Sequence, residues 1–189
     1  MRHAPNSLPP ESPDFAWEPS FNVVIAYEDL DTGKHAKRTY DLLVEKLEMN
    51  CEFNTEMWKF DVLGIPKLRH IAAQGAAAAD IVLISCRGEE LPPHVKLWIE
   101  SWLSNKTEAP LALMALFESK SDGAAQREAV RAYLADVARR GHMEFFAHQD
   151  EWLGCAKQPV LRDEDFQDPK HRTLSMVANA VLRSMPVSG

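Results

Sequence analysis

Residues 80–105 read DIVLISCRGEELPPHVKLWIESWLSN, and this stretch decides the fold. After one acid it opens with Ile81, Val82, Leu83 and Ile84, the unbroken apolar run of a strand buried on both faces. A polar loop follows at 86–90. Pro92 and Pro93 then suit the first turn of a helix, where no amide hydrogen is required. Val95, Trp98, Ile99, Trp102 and Leu103 recur at helical spacing to about Asn105, and two tryptophans so placed read as core before cofactor box. A buried strand feeding an amphipathic helix is half of a βαβ unit. The strand therefore expects parallel neighbours and a helical layer on each face.

The same alternation extends in both directions. FNVVIAY at 21–27 reads as a first parallel strand. Asp31 and Thr32 offer N-cap oxygens for a helix to about Met49, whose buried face carries Ala36, Tyr40, Leu43 and Leu47. Residues 52–62 read as a second strand, and Pro66 opens an alanine-rich helix to about Ala78. Residues 111–117 and 143–147 supply two more strands. Between them lies an amphipathic helix over 122–140, closed by Gly141 as its C-terminal cap. Leu174, Val177, Ala178, Val181, Leu182 and Met185 stripe a last helix. Five strands alternating with five helices imply a three-layer αβα domain around a doubly wound, five-stranded parallel sheet, with the order 2-1-3-4-5 expected at this length. Residues 1–20 contain five prolines and read as a flexible arm ahead of a single domain at 21–189. Within it, 148–170 forms a long connection before the last helix.

The chain has 189 residues, 46% hydrophobic and 26% charged, with a net charge of -7. Such a balance argues against nucleic acid or an anionic membrane as partner, because both reward a basic face. Neither a signal core nor a bilayer-spanning apolar run occurs, so a cytoplasmic location is expected. Cys51, Cys86 and Cys155 fit neither a disulfide framework nor a zinc knuckle.

In an open α/β sheet, ligands bind beyond the carboxyl ends of the strands at the switch point. That rule selects the loops after the first, third and fourth strands. Their candidate crevice residues are Glu28, Asp29, Asp31, Thr32, Gly33, Lys34, Ser85, Cys86, Arg87, Gly88, Glu89 and Glu118. Glu28 and Asp29 are the candidate metal ligands, suited to Mg²⁺ through water. Thr32-Gly33-Lys34 before a helix offers amides and a positive charge to an anion, against three carboxylates in the same loop. Cys86 beside Arg87 is expected to have a lowered thiol pKa.

The stretch VVIAYEDLDTGKHAKRTYDLLVEKL resembles the opening of flavodoxins, in which Thr32 and Gly33 match half of a phosphate-cradling T-G-N-T loop and Lys34 and His35 replace the rest. DIVLISCRGEELPP is similar to the third strand and isoalloxazine-flanking loop of the same family, down to Gly88, Glu90, Leu91 and Pro92. These resemblances imply FMN as cofactor and electron transfer as function. A second resemblance is to response-regulator receiver domains, in which Glu28 and Asp29 fall on the metal-binding acidic pair. Ser85 stands where that family holds its phosphate-accepting aspartate, and residues 146–148 lack its lysine. With the diagnostic residues of both families replaced, the expected function is a regulatory or protein-interaction module on a degenerate receiver- or flavodoxin-like scaffold, more readily a non-enzyme than an enzyme. Trp98, Trp102 and the 148–170 segment are the candidate partner surfaces. An FMN-binding electron-transfer protein is the alternative, and a small hydrolase or transferase using the carboxylates of 28–31 is the second.

Overall fold

The computed structural model describes residues 20–47, 52–88, 90–106, 112–118 and 124–149. The elements in order are β1 (Ser20–Tyr27), α1 (Leu30–Leu47), β2 (Glu52–Lys59), α2 (Phe60–Leu63), α3 (Pro66–Ala77), β3 (Ile81–Cys86), α4 (Pro93–Asn105), β4 (Ala112–Phe117), α5 (Ala124–Gly141) and β5 (Glu144–Gln149). All strand pairs are parallel and the order is β2-β1-β3-β4-β5, the doubly wound, flavodoxin-like sheet expected from the sequence. The arm at 1–19, most of the 148–170 connection and the last helical stripe lie outside the described residues.

Packing follows the apolar pattern. Every residue of β3 and β4 is buried, as a strand covered on both faces must be. On one face lie α3, α4 and α5, with Val82, Ile84, Leu113, Ala115 and Phe117 of the sheet beneath them. The other face buries Val23, Ile25, Leu83 and Leu116 with Ala36, Tyr40 and Leu43 of α1. Ala72, Ala73 and Ala76 are the buried residues of α3, and such small side chains let a helix lie close to its neighbours. Trp98 and Trp102 are 0% exposed, their rings tilted at 60° with centroids 6.3 Å apart. They are core and present no surface to a partner, which removes them from the candidate interaction surface.

Several boundaries differ from those the sequence suggested, for local reasons. β2 stops at Lys59 rather than at residue 62. Phe60 and Leu63, three apart, both turn into the core, which a strand's alternation would forbid and one helical turn permits. β5 runs on to Gln149, so two residues of the expected connection belong to the sheet. Gly141 is the last residue of α5, and His142 takes the left-handed position after it, at φ 53°. The His142 amide donates to the Arg139 carbonyl at 3.2 Å and the Met143 amide to the Ala138 carbonyl at 2.9 Å, the paired bonds of a Schellman motif. Lys106 Nζ also donates to the Gly141 carbonyl. A side chain at 141 would place its Cβ 2.6 Å from Met143 Cε, the flexible end of that side chain, which would have to shift, while the left-handed φ falls on the histidine.

His142→Gly is therefore expected to raise stability by about 0.5–1 kcal/mol by relieving the left-handed strain. The shift of the urea midpoint at unchanged slope measures it, and a lower midpoint would show that the imidazole contributes more than the strain costs.

Candidate functional site

The carboxyl ends of β1, β3 and β4 lie level, with Tyr27 paired to Ser85 and Ser85 to Leu116. Pairing continues one step further: the Glu28 amide donates to the Ser85 carbonyl at 3.0 Å and the Glu118 amide to the Cys86 carbonyl at 3.1 Å. Glu28, Asp29, Arg87 and Glu118 thus emerge side by side at the switch point.

The helix after β1 starts earlier than expected, and its cap is Asp29 rather than Asp31 or Thr32. Asp29 Oδ1 accepts the amides of Asp31 at 3.1 Å and Thr32 at 3.0 Å, while the Asp29 amide donates to Thr32 Oγ1 at 2.8 Å. This is a reciprocal capping box with threonine as its third-position acceptor, and Thr32 is buried within it. The other carboxylate oxygen, Asp29 Oδ2, accepts Arg87 Nε at 2.9 Å and Arg87 Nη2 as well. Glu28 Oε2 accepts the Arg87 amide at 2.8 Å. The same guanidinium stands 3.8 Å from Asp31 and 3.6 Å from Glu118. One arginine therefore knits the loops after all three strands together through four carboxylates.

Charge follows geometry. Burial opposes ionisation of Asp29, but the Thr32 amide and Arg87 outweigh it and hold its pKa below the ordinary carboxylate value. Arg87, hydrogen-bonded to Asp29, is held above its ordinary value. Cys86 reverses the expectation drawn from its neighbour. The thiol is 1% exposed, and burial pushes its pKa up to about 12, with the Glu28 carboxylate acting in the same direction, while the Arg87 guanidinium turns to the carboxylates. Ser85, fully buried, donates its hydroxyl to the Thr32 carbonyl at 2.9 Å and so ties β3 to α1.

The structure thus gathers Glu28, Asp29, Asp31, Arg87 and Glu118, with Thr32 and Ser85 supporting them from within. Lys34 lies exposed on α1, and Glu89 is outside the described residues. Gly88 turns the β3 loop at φ 82°, a conformation that favours glycine. Gly33 sits inside the first turns of α1, and a Cβ there would meet the Tyr27 ring at 2.8 Å. The capping role of Asp29 is signalled in the sequence by D-x-x-T straight after a strand.

These residues do not fit the flavin phosphate that the flavodoxin resemblance implies. The amides of Asp31 and Thr32 are taken by Asp29, and the Gly33 amide bonds to the Asp29 carbonyl at 2.9 Å. A phosphate there would also meet the carboxylates of Glu28, Asp29 and Asp31. As for Mg²⁺, the two proposed ligands each spend an oxygen on Arg87, and no group of three or more metal-ligating side chains occurs among the described residues. A cavity of about 320 Å³ lies away from the crevice, between α3 and α4, lined by His70, Gln74, Ser101 and Asn105 among small alanines. Among the described residues it holds no cluster of groups that could bind a metal.

No protein-family model matches the chain, and no curated protein does. Among the solved structures similar to it are two that align with 87% of the chain. One is a short-chain flavodoxin associated with a bacterial microcompartment, at 8% identity over 97% of that chain with a TM-score of 0.43. The other is oxidised flavodoxin from Bacillus cereus, at 11% identity over 99% of that chain with the same score. At this distance the fold rests on the strand order and pairing of the sheet, not on the alignments.

Two predictions come from this geometry. Asp29→Asn keeps the cap oxygen and removes the charge, whereas Asp29→Ala removes both and is expected to cost about 1 kcal/mol more. Because the folded pKa of Asp29 lies below the unfolded value near ~3.9, its ionic stabilisation is present above that pH and fades as pH falls through the folded pKa. Asp29→Asn should therefore flatten the acid limb of the stability profile, measured by urea unfolding from neutral pH downward; an unchanged limb would show that the ion pair is inert. For Cys86, thiol reagents should leave it unmodified in the native chain and label it only on unfolding. Peptide mapping after brief labelling checks this, and rapid native labelling of Cys86 would show that its strand end opens.

Proposed function

We propose that the chain is a regulatory or protein-interaction module on a flavodoxin-like scaffold whose switch-point crevice is closed by its own side chains. One observation carries this reading: the Asp29 carboxylate caps α1 and binds the Arg87 fork at once. Helix N-terminal amides and an arginine are the groups that would recognise an anionic cofactor, and here a resident carboxylate uses both. Ser85, the one hydroxyl at the end of β3, is committed to a backbone carbonyl and buried, so it makes a poor nucleophile or phosphate acceptor. Cys86 is buried as a neutral thiol. The groups that would run chemistry on this scaffold are thus turned to holding its loops in place. What remains outward is an acidic rim, with Asp31 half exposed, that suits a basic protein segment better than a phosphate.

FMN and Mg²⁺ titrations of the full chain test the reading, followed by Trp fluorescence, melting temperature and visible absorption. Neither ligand is expected to shift the melting temperature, and the purified protein is expected to be colourless. A flavin spectrum with stabilisation by FMN would overturn the proposal in favour of an electron-transfer flavoprotein. A response to Mg²⁺ alone would overturn it in favour of a carboxylate-dependent hydrolase or transferase.

A further inference from the structure

Among the described residues β2 is an edge strand, eight residues long and paired to β1 without a break from Ser20–Glu52 to Tyr27–Lys59. It contains no proline, and nothing in that ladder interrupts it with a bulge. Glu52, Asn54, Thr55, Glu56 and Met57 are all exposed, with Met57 at 38%. Proteins usually shorten, twist or cover such an edge, because its outer row of backbone donors and acceptors is a template for another strand. Here charge is the only such device within the strand.

The charges also select a partner. A second copy of the chain can join this edge antiparallel, about a twofold axis perpendicular to the sheet, which keeps each face of the sheet continuous. Opposed residues must then share a face, so a residue meets one of the same parity. Centring the axis on Glu56 sets Glu56 against itself, and centring it on Asn54 sets Glu52 against Glu56. Like charges directly opposed disfavour both registers. Of the registers that avoid any acid–acid opposition, the one centred on Thr55 pairs the most of the strand, residues 52–58. Thr55 then faces Thr55, Phe53 faces Met57, Asn54 faces Glu56 and Glu52 faces Trp58. On the α1 face, two Phe53–Met57 pairs would extend the apolar surface that already holds the Phe21–Phe53 stack at 5.7 Å. On the opposite face, two amides would donate to two carboxylates.

We infer that β2 is a self-complementary edge through which two copies of the chain pair antiparallel about Thr55, forming one ten-stranded sheet. The interface is small, since a single strand pair buries less than the ~1,200 Å² of a standard interface, so the dimer is weak and concentration-dependent. The inference stands apart from the crevice and does not depend on its closure.

Sedimentation velocity on the full chain over a wide concentration range should show a reversible monomer–dimer equilibrium. Thr55→Lys places two ammonium groups across the axis at a position exposed in the monomer. It should weaken the dimer by about tenfold or more while leaving the melting temperature of the dilute monomer unchanged. Register is read by cysteine pairing in a Cys51→Ser, Cys155→Ser background. Thr55→Cys should cross-link to itself under mild oxidation, whereas Asn54→Cys should not cross-link to itself but should cross-link to Glu56→Cys when the two chains are mixed. A chain that remains monomeric at every concentration overturns the inference. So does a dimer indifferent to Thr55→Lys, or self-cross-linking at 54 as fast as at 55.

Discussion

β3 and β4 are buried along their whole length on both faces, and that single constraint arranges the rest of the molecule. A parallel pair with no wet face needs helices above and below, and a parallel connection needs a crossover long enough to supply one. α3, α4 and α5 close one side, with the tryptophans of α4 filling what the alanines of α3 leave open. Those tryptophans carry a cost: the indole N–H groups of Trp98 and Trp102 are buried without an acceptor among the described residues. An orphaned donor costs about 1–3 kcal/mol, and burying so large an apolar ring outweighs it. α4 and α5 are joined at the rim by Arg140, which donates to both oxygens of Glu100 at 2.9 and 2.6 Å, in a part-exposed pair that orients the helices more than it stabilises them.

The same topology creates the electrostatic problem that the crevice solves. Level carboxyl ends bring the loops of three strands together, and those loops carry Glu28, Asp29, Asp31 and Glu118. Four carboxylates so close would repel one another. Arg87 answers all four from a loop turned by Gly88, and the helix N-terminus answers Asp29 a second time. The cluster is therefore an excess of acid held around one shared guanidinium, in which removing Arg87 would leave more repulsion than removing any one acid.

The strands, most of the crossover helices and the core were legible in the sequence because each is written in hydrophobic period, and the strand order followed from the handedness and usual order of such crossovers. The stripe Val95, Trp98, Ile99 and Trp102 is buried as its spacing requires, and Pro66 and Pro93 open their helices. The site was legible only as a location. Asp29, Arg87 and Glu118 are separated by tens of residues, and nothing in local spacing says that one guanidinium will face them all. Proximity in sequence misled in the case of Cys86, where Arg87 is adjacent along the chain but alternation along the strand points the two side chains apart. Local chemistry carries one further signal: the D-x-x-T of residues 29–32 forms a capping box that sets the start of α1 and withdraws Thr32 and Gly33 from any phosphate cradle.

That displacement bears on how far a shared sheet carries a shared function. A phosphate cradle needs a loop that leaves several amides pointing into the crevice before the helix begins. Here only Glu28 and Asp29 separate the last residue of β1 from the first of α1, and the second of them is the cap. With the loop this short, the helix dipole and its first-turn amides are still present, but the group they face is fixed by the chain. Recovering an anion site would require both lengthening the loop and removing an acid, since removing Asp29 alone would release Arg87 toward Asp31 and Glu118, which already flank it. The fold supplies the place for a ligand, and the two residues between strand and helix decide whether a ligand or a side chain occupies it.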